Sequence, residues 1–492
     1  MKYDLLKEPW IPVVTMDNQT LRVGIYELIS GAHMLKEVAE PSPMKEYGIY
    51  RMLCAFVMDA YRIQDEYEYR DMLDEGHFDT NVLDDYIGQC ETEGTSFDLF
   101  DEMHPFMQSP YDEKIDKESN IKPVAAMDYS LPSGNNHIHF DHTLEKDSIM
   151  TADEAARTLM AVNVFCTAAA QGYPSTINGA PPLYCIIKGK NLFETLAFSV
   201  TTENRSELEY DNPKVFWREN KKVIPKEKVA ITSVLYGMTF PCRRVRLIPE
   251  TDGNSICVRN VFFQQGMDYV AYDAWNDPHV AYMYNDKGRI SIKASLDKEP
   301  WRDISNLIKL EKGAPLIVKQ YLDIFEDKNI TLITYPVAIV PGQASYLSMS
   351  KSEMGLPVKI VKSNIKSNII DNAIKFSDQV AKQMRDLLKQ VPENEDSSSQ
   401  ILSQAVFKFY AIAKMLFFKR LCPSLEEADV NDTEAISNII KDWHNEIQKQ
   451  AVDVFDKAAD KFGTSGRILL NIERSKLFFR TSINKLRKEE EK

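Results

Sequence analysis

Paired cysteines are missing from this 492-residue chain, and so are the short motifs that mark most enzymes. Its seven cysteines (Cys54, Cys90, Cys166, Cys185, Cys242, Cys257 and Cys422) stand singly, with no C-x-x-C pair. Zinc ribbons and disulfide frameworks need partners at short spacing, so neither is expected, and no cofactor is implied. No G-x-x-x-x-G-K-[ST] or G-x-G-x-x-G segment is present to cradle phosphates, and no Ser or Cys sits in a nucleophile elbow. No unbroken apolar run approaches the ~20 residues of a bilayer span. The nearest, Leu159 to Ala170, is short and contains Asn163. The start, Met1-Lys2-Tyr3-Asp4, lacks a signal-peptide core, so a cytoplasmic address is expected.

What remains is ordinary globular composition: 44% hydrophobic, 27% charged and 10% aromatic. The length is about three times a ~150-residue domain, which predicts two or three cores. The net charge is −14, which argues against a protein that coats DNA through a broad basic surface. The charge is unevenly spread. Residues 1–150 hold 12 Lys+Arg against 30 Asp+Glu, a net of −18, which leaves +4 for the other 342 residues. Any polyanion is therefore expected to meet the later part of the chain.

Periodicity predicts a mixed α+β body over residues 1–360, then an antiparallel four-helix bundle over 361–492. In the body, Trp10 to Val14 and Leu21 to Val23 read as strands. Pro43 to Met58 reads as a helix with Tyr47, Tyr50, Leu53, Cys54 and Val57 on one stripe. Ser109 to Asp147 reads as a long polar loop. Thr151 and Glu154 form a capping-box pair that opens the next helix. Strands are expected at Leu183 to Lys188, Ser255 to Phe263 and Ile330 to Val340, with no βαβ repeat. Further on, four apolar stripes follow, with breaks at Pro392 to Ser399, Cys422-Pro423 and Gly463 to Gly466.

Three segments carry candidate chemistry. His137, His139, Asp141 and His142 form H-x-H-x-D-H, a pattern that binds two metals in some hydrolases. Only His279 and His444 follow it, too few to complete such a site, so the same residues also read as a polar loop. The loop Gln171 to Pro182 contains Gly172, Tyr173, Ser175, Thr176, Asn178 and Gly179. Its glycines allow close backbone approach, and Thr176 and Asn178 suit the sparse acceptor pattern of a DNA minor groove. It also reads as a plain turn. Gly342, Gln343, Ala344 and Ser345 follow an apolar strand and form either an ordinary turn or a wedge that parts base pairs. Basic residues gather at Arg243, Arg244 and Arg246, at Lys359, Lys362 and Lys366, and along the last helix, where they suit phosphates or a solvated face.

Several of these signals agree with one family. Tyr3 to Val13, Phe97-Asp98-Leu99-Phe100 with His104-Pro105-Phe106-Met107-Gln108, Leu131 to Asn136, and Gly342 to Ser345 resemble the large subunits of type I-E CRISPR surveillance complexes (Cascade), the CasA family. The resemblance implies a non-catalytic protein that recognises the protospacer-adjacent motif (PAM) in double-stranded DNA and starts R-loop formation. It implies that the Gly172 to Gly179 loop touches the PAM and that Gln343 is the wedge. Gly134, Asn135, Asn136, His137 and Phe140 would dock near the guide-RNA 5′ handle. The implied partners are CRISPR RNA, the small helical, backbone and 5′-handle-binding subunits, and a helicase-nuclease, with no membrane. Where some members place a PAM-reading lysine, this chain has Gln264, Gln265 or Gly266. Guide pairing carries most sequence discrimination in such systems, so isolated affinity for DNA should be weak and salt-sensitive.

Overall fold

The computed structural model describes residues 1–131, 148–168, 173–205, 213–253, 255–270, 275–285, 288–295, 298–309, 313–326, 328–339, 346–392 and 399–490. Two compact units emerge: Met1–Ile324 with Ile330–Gly355, and Phe325–Asn329 with Leu356–Lys492.

The first unit mixes helices with small, mostly antiparallel sheets, an α+β arrangement that the patterning predicts. Strand Ile11–Thr15 lies between Thr20–Val23 and Leu35–Val38, in register Ile11↔Val23 and Val13↔Val38. Trp10, just before it, is fully buried and donates its indole N–H to the Leu5 carbonyl at 3.0 Å. Two of the stretches that carry the family resemblance are bonded to each other. Asp98 accepts from the Tyr3 amide at 2.8 Å, Leu5 N–H donates to Phe97 O, and Gln108 donates to Leu99 O at 2.7 Å.

Helix Pro43–Tyr61 is buried on more than the one stripe the sequence suggests, because it runs through the core against helix Ala152–Phe165. That second helix opens on the expected capping box, with Thr151 and Glu154 bonded reciprocally. The longest hairpin pairs Arg243–Asp252 with Ser255–Gln265, from Arg243↔Gln265 to Asp252↔Ser255. Two expectations need correction. The Ile330 to Val340 strand is two, Asn329–Tyr335 and Val337–Ile339, because Pro336 between them has no N–H for a ladder. The first part of the Ser109 to Asp147 loop contains strand Ile121–Pro123 between the 3₁₀ turns Glu118–Asn120 and Val124–Met127.

The second unit holds four long helices: Asn364–Leu388, Ser399–Leu416, Thr433–Ala459 and Gly466–Glu490. The first and third each pack against the other three. Asp432 caps the third, its carboxylate accepting from Ala435 N–H at 2.9 Å. Cys422-Pro423 does not end the second helix as expected. A π-helical turn, Phe417–Leu421, leads directly into helix Cys422–Glu427. Wider π-type bonding upstream accommodates the missing proline N–H. Among the described residues, the stretch Ser399–Glu427 is long and apolar enough to cross a membrane by length and composition. The unbroken-run criterion missed it because Lys408 and Lys414 interrupt it, yet Phe409, Leu416, Phe417 and Leu421 are buried within this unit.

Candidate nucleic-acid interface

The described part of the candidate loop, Tyr173 to Pro182, sits on a buried polar network drawn from distant parts of the first unit. Its hub is Asp277, which is wholly inaccessible to solvent. The Arg51 guanidinium, from the core helix, clamps it with Nη2 at 2.8 Å from Oδ2 and Nη1 at 3.2 Å from Oδ1. Oδ1 also accepts from His279 N–H at 3.0 Å, and Oδ2 accepts from Asn178 Nδ2 at 2.7 Å. The carboxylate's acceptor sites are thus filled. Burial would raise the Asp277 pKa, but Arg51 and the amide bonds hold it below the usual carboxylate value. Aromatic rings close the site: Tyr47 stacks on Tyr184 with centroids 4.5 Å apart, and Arg51 lies over the Tyr184 ring.

His279 completes the network. Its Nε2 faces the Ser199 carbonyl at 2.7 Å, which only an N–H can satisfy, so Nδ1 accepts from the Tyr47 hydroxyl at 2.9 Å. Burial pushes its pKa down from 6.5 to about 4. Between those values the unfolded chain binds more protons than the folded one, so stability falls as pH drops through that window. The loss amounts to roughly 3 kcal/mol at the low end. Thermal melts from about pH 7 to pH 4 are expected to flatten in His279→Gln; an equal slope in both proteins would remove His279 as the cause.

The network determines which loop residues face outward. Asn178 is half-buried, and its side-chain amide is engaged by protein: besides the bond to Asp277, its Oδ1 accepts from Trp275 Nε1 at 2.8 Å, while its main-chain carbonyl accepts from Ser291 Oγ at 3.1 Å. Thr176 is fully buried, with Oγ1 donating to Gly179 O at 2.9 Å and its carbonyl accepting from Tyr269 Oη at 3.0 Å. Both side chains were expected to bond DNA. Instead they bond protein, because a proline-rich loop with few internal hydrogen bonds needs side chains to hold it. Tyr173, Ser175 and Gly179 are half-buried and turned to the surface. Gly179 has φ +80°, a left-handed conformation that glycine adopts without strain, and space for a Cβ is open there.

Several other expected site residues are not described. Gly172, the wedge residues Gly342, Gln343, Ala344 and Ser345, and the handle-loop residues Gly134, Asn135, Asn136, His137 and Phe140 lie outside the described residues. So do His139, Asp141 and His142. Among the described residues, no group of three or more His, Cys, Asp or Glu could hold a metal. Arg244 is not a surface cation: it is fully buried and ion-paired with Asp116 at 2.6 Å, while Arg246 donates to Asp101 O at 2.6 Å. Along the last helix, Lys476 pairs with Asp460, and Arg480 with Asp456. At the three alternative lysine positions, Gln264 is buried and bonded to Asn120 and Asp116, and Gln265 is buried. A Cβ on Gly266 would lie 2.2 Å from the Pro241 carbonyl, so no side chain fits there.

Sequence reading missed Arg51, Asp277 and the role of His279. The readable signal was Arg51 itself, the one charge in the apolar stretch Tyr47 to Met58, which burial tolerates only with a partner.

Comparison with known proteins agrees with this architecture. The family model for CRISPR-associated protein Cse1 matches residues 4–454. A CRISPR-associated protein CasA/Cse1 of Thermus thermophilus is 27% identical over 410 residues, covering 79% of this chain and 78% of that one. The crystal structure of Cse1 from Acidimicrobium ferrooxidans superposes with a TM-score of 0.80 at 17% identity, covering 99% of both chains. A chain of a CRISPR RNA-guided surveillance complex superposes with a TM-score of 0.73 at 17% identity, over 98% of this chain and 99% of that one. With a family match that spans residues 4–454, this chain belongs to the CRISPR-associated Cse1 family.

Proposed function

We propose that this protein is the non-catalytic large subunit of a type I-E CRISPR RNA-guided surveillance complex. It recognises the PAM in double-stranded DNA, begins unwinding the duplex and recruits the helicase-nuclease. Family membership supports the general role. The observation that carries the DNA-reading part is the Tyr173 to Pro182 loop, held from beneath by Asn178 and Thr176 with Tyr173, Ser175 and Gly179 at its surface. A loop fixed in this way meets a groove without first losing conformational entropy.

In this reading Tyr173, Ser175, Gly179 and Gly172 contact the PAM duplex, while Thr176 and Asn178 position them. Gln343, with Gly342, Ala344 and Ser345, enters the stack as the wedge. Gly134 to Phe140 meets the 5′ handle of the CRISPR RNA and the subunit that binds it. The buried Gln264 and Gln265 and the closed Gly266 put no lysine at positions 264–266, so the PAM preference should differ from members that use one there. The working place of such a complex is the cytoplasm.

The test is reconstitution with guide RNA and the other subunits. Gln343→Ala is expected to slow R-loop formation on PAM-bearing duplex about tenfold or more, with less effect on duplexes already unpaired beside the PAM. Equal rates for both proteins on the paired duplex would dismiss the wedge.

A further inference from the structure

Five arginines of the described residues are buried: Arg51, Arg157, Arg218, Arg243 and Arg244. Four have carboxylate partners, namely Asp277, Glu40 with Asp153, Asp59 with Glu93, and Asp116. Arg243 has none among the described residues. Its guanidinium donates instead to three main-chain carbonyls: Nη2 to Thr167 O at 2.7 Å, and Nη1 to Pro174 O at 2.8 Å and Cys242 O at 2.9 Å. The Tyr173 ring lies 5.4 Å from it. The ionisable groups around it are the thiols of Cys166 and Cys242 and the phenols of Tyr129 and Tyr346. The Tyr129 hydroxyl is buried without a partner among the described residues. A cation in such surroundings retains most of its field.

Thr167 and Pro174 bracket the start of the candidate DNA loop, so one side chain ties both of its ends. The peptide bond is trans and planar, which puts C=O and N–H on opposite sides. Pulling the Thr167 and Pro174 carbonyls inward therefore turns the N–H groups of Ala168 and Ser175 away from Arg243. Among the described residues neither N–H donates to a protein group, and Ala168 is exposed while Ser175 is half-exposed. Carbonyl oxygens facing the other way would repel an anion. Outward N–H groups above a buried cation attract one.

We propose that Arg243 is a positioning residue that sets the main-chain polarity of this loop, so that the Ala168 and Ser175 amides receive a backbone phosphate of the duplex beside the PAM. This rests on the DNA-reading function proposed above. Its ligand is a phosphodiester and not a base edge.

The experiment uses the reconstituted complex and PAM duplexes in which single phosphodiesters are replaced, one position at a time, by uncharged methylphosphonate. With the wild-type protein, one or two linkages beside the PAM are expected to lower affinity about tenfold, as for one charge-assisted contact. With Arg243→Gln that penalty should fall below about twofold, and affinity for the unmodified duplex should drop by a similar factor. Arg243→Lys keeps the charge but replaces the planar fork, whose two nitrogens hold the two carbonyls, with a single ammonium nitrogen on a flexible stem, so it should also lose most of the penalty. It serves as the second variant if the first fails to assemble. An unchanged penalty in a variant that assembles overturns the inference, as does a wild-type complex sensitive to no linkage. A wild-type complex that binds duplexes with and without the PAM equally overturns the underlying reading, and this inference with it.

Discussion

Asp277→Ala is expected to destabilise the first unit by about 3–5 kcal/mol, because it strands the Arg51 guanidinium in the core without a counter-charge. The penalty has identifiable parts. Arg51 keeps its bonds to the Met238 carbonyl at 2.9 Å and the Tyr47 hydroxyl at 3.3 Å, but both partners are neutral. Asn178 Nδ2 and His279 N–H lose their shared acceptor at the same time. A melting-temperature loss of roughly 5–10 °C follows for a unit of this size, read by differential scanning calorimetry. Arg51→Met combined with Asp277→Ala removes both charges and should recover much of the loss. A double variant no more stable than Asp277→Ala alone would show that the ion pair is not the source.

Asn178→Ala should have the largest effect on recognition and a smaller one on stability, about 1–3 kcal/mol. The truncation leaves Trp275 Nε1 without its acceptor and Asp277 Oδ2 short of one donor, while Arg51 still neutralises the carboxylate. The fold should therefore persist with the Ser175 to Gly179 turn loosened at its base. In the reconstituted complex, the affinity ratio between PAM-bearing and PAM-less duplex is expected to fall about tenfold or more, with guide-RNA loading unchanged. A variant that keeps the full ratio would mean that Asn178 does not position the loop. Because Asn178 and Asp277 share a bond, the two substitutions should be less than additive.

Legibility from sequence varied from element to element. Thr151 with Glu154 was readable as a capping box because capping depends on residues three positions apart. The four helical stripes of residues 364–490 were readable for the same local reason. The break expected at Cys422-Pro423 is not there, because proline reports a lost N–H, while the π turn that absorbs the loss depends on longer-range bonding. Thr176 and Asn178 were placed in the loop, but the protein partners that engage their side chains were not legible, since polar side chains bond whatever folding brings near them.

Composition and periodicity were enough, by themselves, to indicate a mixed α+β body and a helical C-terminal part, and a handful of motifs carried the family resemblance. These are properties of neighbouring residues and of short segments. Only the tertiary structure decided that Arg51, Asn178 and Asp277, separated by up to 226 positions, meet in one network, and that Arg243 joins Thr167 to Pro174. A buried charge acquires its partner through packing, and no spacing rule encodes which distant carboxylate or carbonyl that will be.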